Sequence, residues 1–218
     1  MQFNLHNRWM RAQDLASYSS DSTMHSVAAT AAQLIVDEGL EYGPAKRRAV
    51  KQLGLPPRTP LPGNDEVEAQ VRDYIDLFCA DTQPLELQAL RRLALQWMER
   101  LHMFRPHLSG AVWHGTATRR SDIYLQLFCD DSKSAEIALI DLGIAYEPRT
   151  VSGFRHEPVE ALSCSAPCPE LRDTVGVHLM VHDADDIRGA LLKDPQGRKP
   201  RGDAAAVRAL LALNEVNQ

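Results

Sequence analysis

The spacing of apolar residues changes near Pro106, and this change constrains the fold more than any other feature of the chain. Before Pro106, apolar residues recur every three or four positions, as on one face of a helix. After it, they begin to alternate, and a period of two is typical of a half-buried strand. The sequence therefore predicts a helical N-terminal block followed by an α+β domain.

Four stretches before Pro106 are predicted to be helices. The first begins near Val27 and ends near Gly39, and the second has Pro44 in its first turn and Gly54 just past its end. The other two carry apolar stripes, formed by Val67, Val71, Tyr74, Ile75 and Phe78 and by Leu87, Leu90, Ala94, Trp97, Met98 and Leu101. We therefore expect a helical block over residues 24–104, preceded by residues 1–23 as a mobile lead-in or one short helix.

The remaining residues, 105–218, are expected to form a sheet with helices. Ile123, Leu125 and Leu127 alternate with polar and aromatic residues, so they are predicted to face the core. Residues 144–151 and 175–182 are further strand candidates, and residues 131–143 and 203–214 are helix candidates. Together these elements predict an α+β domain.

Charge and composition exclude several classes of protein. The chain has 24 Lys and Arg residues against 29 Asp and Glu residues, and its net charge of -5 gives no general attraction to nucleic acid or anionic membranes. No apolar run approaches the length of a membrane span, and the start of the chain lacks the apolar region of a secretory signal. Four cysteines in 218 residues do not suggest a disulfide framework. We therefore expect a cytoplasmic protein with no membrane partner.

The segment from Gly110 to Leu127 combines a small-residue turn with a polar strand start. The residues that define it are Gly110, Gly115, Thr116, Ala117, Ser121, Asp122 and Ile123. Their spacing resembles the nucleotidyltransferase superfamily, which includes minimal nucleotidyltransferases, polymerase-beta-like enzymes and antibiotic adenylyltransferases. The resemblance covers this segment closely and the rest of the domain only as an order of elements, and it implies a mixed sheet with flanking helices.

The resemblance implies a site for nucleotide phosphates and Mg²⁺. Glycine permits close approach of the backbone to phosphate, and carboxylates two residues apart on a strand project from one face toward a metal ion. Asp122 is the candidate catalytic and metal-binding residue. The candidate nucleotide-binding residues are Gly110, Ala111, Gly115, Thr116, Arg119, Arg120, Tyr124 and Gln126. We expect residues 110–126 to form strand, turn and strand, with Asp122 and Tyr124 facing the same cleft.

Two residues depart from the family pattern at chemically important positions. Ala111 stands where the family has serine, and Tyr124 stands where it has the second aspartate, so a hydroxyl group and a charged ligand are absent. A third carboxylate usually comes from a later strand, and the candidate strand 175–182 has only Asp183 beyond it. We therefore interpret the chain as a nucleotidyltransferase-like protein with a degenerate metal site. It is expected to bind a nucleotide, a polyphosphate or another phosphate-containing small molecule, or a partner.

Two alternatives remain open. In the first, the chain is an active metal-dependent nucleotidyltransferase that acts on a small molecule or protein through Asp122 and a rearranged carboxylate, either Asp183 or Glu147. In the second, it is an interaction protein that uses only its helical block.

Zinc is not expected as a cofactor. The cysteine and histidine residues that could bind it do not have the spacing of a compact zinc knuckle, and we interpret the cysteines as exposed loop residues. The residues concerned are His156, Cys164, Cys168, His178 and His182.

Basic residues lie in two groups. Arg119 and Arg120 are expected either to hold phosphates or to pair with Asp130 and Asp131. A second group is interpreted as a solvated helix face, with RNA as a less favoured partner. That group consists of Lys46, Arg47, Arg48 and Lys51, with Arg58 further on.

Motifs of two other enzyme classes are missing. The chain has no Gly-x-x-Gly-Lys-Thr/Ser run to hold ATP as in Mur-type ligases, and no Gly-x-Ser-x-Gly elbow of a Ser-His-Asp hydrolase.

Overall fold

The structure, a computed structural model, describes residues 12–154, 157–194 and 197–216. Part of the predicted lead-in and His156 of the zinc hypothesis lie outside the described residues. The chain divides into two compact units, residues 1–74 and residues 75–218.

The first unit is built from helices. Helix α1 spans Ala12–Glu38, helix α2 spans Tyr42–Gln52, and helix α3, Asn64–Phe78, begins in this unit and ends in the second. Helices α1 and α2 pack on each other through small side chains that are almost fully buried, namely Val27, Ala28, Ala31, Ala32, Ala45 and Ala49. The predicted end of α2 before Gly54 is confirmed.

The second unit combines a sheet with helices. Its elements are α4 (Gln83–Arg100), β1 (His107–Ser109), α5 (Gly110–His114), β2 (Ile123–Cys129), α6 (Lys133–Asp141), β3 (Tyr146–Ser152), β4 (Pro158–Cys168), β5 (Asp173–Asp183), α7 (Ile187–Ala190), β6 (Arg201–Gly202) and α8 (Ala204–Val216). The strands form one sheet in the order β3-β4-β5-β2-β1-β6, in which β2 and β5 are parallel and the other neighbouring pairs are antiparallel. The predicted α+β class with a mixed sheet is confirmed.

One face of the sheet forms the core of this unit. Ile123, Leu125 and Leu127 are 0% exposed, so the predicted core face of β2 is confirmed. They pack in one cluster with alternate residues of β4 and β5 and with apolar side chains of α4, α6 and α8. Because neighbouring side chains of a strand point to opposite faces, the other residues of β2 are directed away from this core.

Helix α4 is part of this core. Its apolar stripe includes Leu90, Trp97 and Met98, which are at most 3% exposed and belong to the same cluster as the β2 residues. The stripe was predicted correctly. The predicted domain boundary between residues 104 and 105 stays a prediction.

Two local predictions require correction. The segment that contains Cys164 and Cys168 is strand β4 and not an exposed loop, since their exposed fractions are 5% and 1%. Gly110 begins the short helix α5 and does not lie in a strand, because its backbone turns to a φ of 69° after the extended Ser109. Residues 110–126 therefore form helix, loop and strand.

Candidate functional site

A row of polar side chains crosses the sheet on the face opposite the core. The strand register places Tyr124 of β2 beside His178 of β5, His178 beside Ser163 of β4, and Tyr124 beside Ser109 of β1. Side chains at directly opposite positions project from the same face of a sheet, so these four side chains are neighbours. Asp122 directly precedes β2 and reaches the same row.

Asp122, His178 and Ser163 form a hydrogen-bonded chain. The carboxylate of Asp122 only accepts hydrogen bonds, so His178 Nε2 donates to Asp122 Oδ2, at 3.1 Å. In the neutral ring, Nδ1 of His178 is then the acceptor, and Ser163 Oγ donates to it at 3.0 Å. The direction of both hydrogen bonds therefore follows from the negative charge of Asp122.

Gly176 allows Asp122 to approach the strand backbone. The Gly176 N–H donates to Asp122 Oδ1 at 3.1 Å, and a Cβ atom at position 176 would lie only 2.6 Å from that oxygen. The hydrogen bond from His178, and to a smaller extent that from Gly176, holds the pKa of Asp122 below its ordinary value although burial opposes this shift. Both carboxylate oxygens of Asp122 are thus engaged by groups of the protein itself.

Tyr124 packs on the ring of His178. Their ring centroids are 4.8 Å apart with an interplanar angle of 30°, which is a stacked arrangement. Asp122 and Tyr124 both contact the His178 ring, so they lie on the same side of the sheet. That they face one cleft stays a prediction. Gly110 is also close, because a Cβ atom there would lie 3.7 Å from Tyr124 Cδ2.

Gln126 belongs to a second hydrogen-bonded chain on the same face. Its Nε2 donates to Ser109 Oγ at 3.0 Å, and its Oε1 accepts from His182 Nε2 at 2.6 Å. His182 is 3% exposed and its ring stacks on Phe128. Burial, and secondarily the charge of Arg201, lowers the pKa of His182 below the ordinary histidine value.

The remaining candidate nucleotide-binding residues are not gathered in this row. Ala111 is part of α5, and Gly115 ends that helix, where its carbonyl oxygen accepts from Gln83 Nε2 at 3.0 Å. Thr116 is only 4% exposed, so a ligand cannot reach its side chain from solvent.

Arg119 and Arg120 are exposed in the loop before β2. Arg119 Nη2 lies 3.8 Å from Asp173 Oδ2. The predicted alternative partners Asp130 and Asp131 follow β2 and lie at its other end, so that pairing is corrected.

The structure separates the carboxylates that could have shared a metal ion. Asp183 pairs with Cys129 at the far end of β5, about 20 Å along the strand from the Asp122 end. Glu147 lies opposite Ser163 on β3, three strands away from β2, which corresponds to about 14 Å. Metal bridging needs several oxygens around one ion, so neither can act with Asp122. Among the described residues, no three His, Cys, Asp or Glu side chains are grouped so that they could hold a metal ion.

A groove of about 830 Å³ adjoins the polar row. Ser163, Gly176 and His178 line it together with Arg100, Glu147 and Arg149. Arg149 Nη2 donates to Glu147 Oε2 at 3.0 Å. Ser163, Arg100 and Arg149 are not among the residues that the sequence pattern predicts for the site. A usable signal was the alternation of small apolar residues with serine and proline in β4, a segment that was interpreted as a loop.

Comparison with known proteins provides little further information. No protein-family model matches the chain, and no curated protein matches it. A solved structure of Cid1 poly(U) polymerase with MgGTP bound is similar at 11% identity and a TM-score of 0.34, over 53% of this chain. The matched part is 38% of that polymerase chain. At this TM-score the similarity carries no argument about the activity of this chain.

No helix in the described part of the chain is both long and apolar enough to cross a membrane. The cytoplasmic location stays a prediction.

Proposed function

We propose that the groove beside Ser163 and His178 binds a nucleotide or another phosphate-containing small molecule, and that the protein does not catalyse two-metal nucleotidyl transfer. The observation that carries the proposal is the state of Asp122. It lies beside Tyr124 and His178, and both its oxygens already accept hydrogen bonds, from Gly176 N–H and from His178 Nε2.

The chemistry of Mg²⁺ supports the second half of the proposal. This ion requires near-octahedral oxygen coordination and usually takes carboxylates and substrate phosphates as ligands. Tyr124 offers a neutral phenol and His178 offers ring nitrogens in place of the two further carboxylates. Mg²⁺ therefore has too few charged oxygen ligands here to bridge a triphosphate, and it is not part of the proposed binding mode.

The groove supports the first half of the proposal. Its volume of about 830 Å³ lies in the range of small-molecule sites. Two arginines, Arg100 and Arg149, line the groove against one acidic lining residue, Glu147, which pairs with Arg149 at 3.0 Å. Guanidinium groups bind phosphate oxygens well. The ring of His178, on which Tyr124 stacks, also lines the groove. Phosphate would therefore be held by arginine side chains and not by a metal ion.

Calorimetric titration of ATP, GTP, CTP and UTP, with and without Mg²⁺, tests this function. We expect at least one nucleotide to bind without Mg²⁺, and Arg149→Gln to weaken its binding about tenfold, because a hydrogen bond to a charged group contributes about 1.5 kcal/mol or more. Arg72→Gln, which changes an exposed arginine paired with Glu68, is the matched control and should bind like the wild type.

Two outcomes would contradict the proposal. The first is that none of the four nucleotides binds, or that Arg149→Gln binds as tightly as the wild type. The second is Mg²⁺-dependent release of pyrophosphate by the wild type that disappears in Asp122→Ala, which would favour the active nucleotidyltransferase instead.

A further inference from the structure

The chain of hydrogen bonds from Asp122 through His178 to Ser163 has the polarity of a general-base relay. The carboxylate accepts from one ring nitrogen of His178, and the other ring nitrogen accepts the hydroxyl proton of Ser163. A hydroxyl group in this position can lose its proton to the ring as it attacks an electrophile. The three residues come from the start of β2 and from β4 and β5, and no short sequence motif contains them.

The geometry leaves Ser163 accessible. Ser163 and His178 both line the groove of about 830 Å³. The side chain of His178 is 23% exposed, and Tyr124 packs on its ring face and restricts the ring's rotation. Gly176 pairs with Ser165 of β4 and lies against Asp122. Because it is glycine, it has no side chain that could cover the site.

We infer that Ser163 is a nucleophile for the hydrolysis of a small carboxylic ester that carries an anionic group. His178 acts as the general base and Asp122 is a positioning residue that holds the ring. The anionic group is expected because Arg100 and Arg149 both line the same groove, whereas Glu147, which pairs with Arg149, is the one acidic residue in the described lining. This inference goes beyond nucleotide binding and does not depend on it.

The reaction balances with water as the second substrate. Ser163 Oγ forms a bond to the ester carbonyl carbon while its proton moves to His178 Nδ1. The bond from that carbon to the alcohol oxygen then breaks, and the leaving oxygen takes the proton from Nδ1. Water attacks the acyl-serine and gives a proton to Nδ1, which returns it to Ser163 Oγ as the acid leaves. Asp122 stabilises the imidazolium in both steps and keeps its own charge.

Labelling with a fluorophosphonate probe, which reacts with activated serines and releases fluoride, tests the inference. Mass spectrometry should locate the label on Ser163 in the wild type, and Ser163→Ala should remain unlabelled. His178→Gln should reduce the labelling rate at least about 100-fold, which is the lower end of the effect of a general base. Ser152→Ala changes an exposed serine on β3 outside the groove, and it should be labelled like the wild type.

The role of Asp122 requires a kinetic measurement, which uses the p-nitrophenyl monoester of succinic acid as the anionic ester. Asp122→Asn should lower kcat at least about tenfold and leave KM nearly unchanged, because it alters the ring that takes the proton and not the groove. The thermal unfolding of each variant is measured to show that it is folded. An unlabelled wild type, or equal labelling in folded His178→Gln, would overturn the inference. A proportional change of kcat and KM in Asp122→Asn would remove the positioning role.

Discussion

His178 and His182 lie four residues apart on β5 and point to the same face of the sheet, but their surroundings differ. His178 is partly exposed at the groove, and both its ring nitrogens are hydrogen-bonded. His182 is 3% exposed, stacks on Phe128, lies 4.9 Å from the Phe154 ring, and its buried Nδ1 has no hydrogen-bond partner. The first histidine is therefore accessible from the groove, and the second is buried with a pKa below the ordinary histidine value.

The burial of His182 predicts a pH dependence of stability. Its pKa is lowered in the folded state, whereas a histidine in the unfolded chain titrates near its ordinary value of about 6.5. Below that pH the unfolded chain binds more protons, so the stability that is present above about pH 6.5 is lost as the pH falls toward the folded-state pKa. We expect the melting temperature of the wild type to fall between pH 7 and pH 5, and that of His182→Phe to fall less.

Thermal unfolding at a series of pH values measures this effect. Some slope should remain in His182→Phe, because burial also lowers the pKa of His107. Equal slopes in the wild type and the variant would show that His182 is readily protonated in the folded protein.

At the scale of elements, strand β4 contributes residues to both the core and the candidate site. Its even-numbered residues from Leu162 to Cys168 are buried in the core, and Ser163 points to the opposite face. Both prolines of β4 lie near its ends, since Pro158 is the first residue and Pro167 is the second-last. The middle part of the strand pairs with β3 on one side and with β5 on the other. Proline is tolerated near strand ends more readily than in the middle.

The burial of β4 predicts the reactivity of the four cysteines. Burial raises the pKa of Cys164 to about 11, so little thiolate is present at pH 8, and Cys168 is 1% exposed. A thiol reagent followed by mass spectrometry should modify partly exposed Cys79 and Cys129 in the folded protein, and all four cysteines only after unfolding. Rapid modification of Cys164 under native conditions would show that β4 does not hold it in the core.

At the scale of the whole molecule, charge opposes binding of nucleic acid. The net charge is -5, and basic residues of α2 are already engaged in local contacts. Lys46 Nζ donates to Pro62 O and Asn64 Oδ1, at 3.0 Å and 2.8 Å, and Arg48 pairs with Glu38. We therefore predict that α2 does not bind RNA tightly.

Fluorescence polarisation with a labelled single-stranded RNA tests this conclusion. At about 150 mM salt we expect a Kd weaker than about 100 μM, the weak end of ordinary non-specific binding. The charge reversals Arg47→Glu and Lys51→Glu should change the signal little. Tight binding that these reversals abolish would restore α2 as an RNA-binding surface.

The sequence by itself determined the features that depend on local patterns. Alternation identified the core face of β2 and placed Asp122 and Tyr124 on the same side, and Pro44 and Gly54 marked the limits of α2. These predictions succeeded because the spacing of apolar residues and the backbone preferences of proline and glycine depend only on residues that are close in sequence.

Only the tertiary structure decided which distant residues meet. The register of β2, β4 and β5 brings Asp122, His178 and Ser163 together, although Asp122 and His178 are 56 residues apart in sequence. The same register separates Asp183 from Asp122. Strand pairing is set by the burial of whole sheet faces and by the connections between strands, so the sequence of a single strand does not specify which strands pair with it.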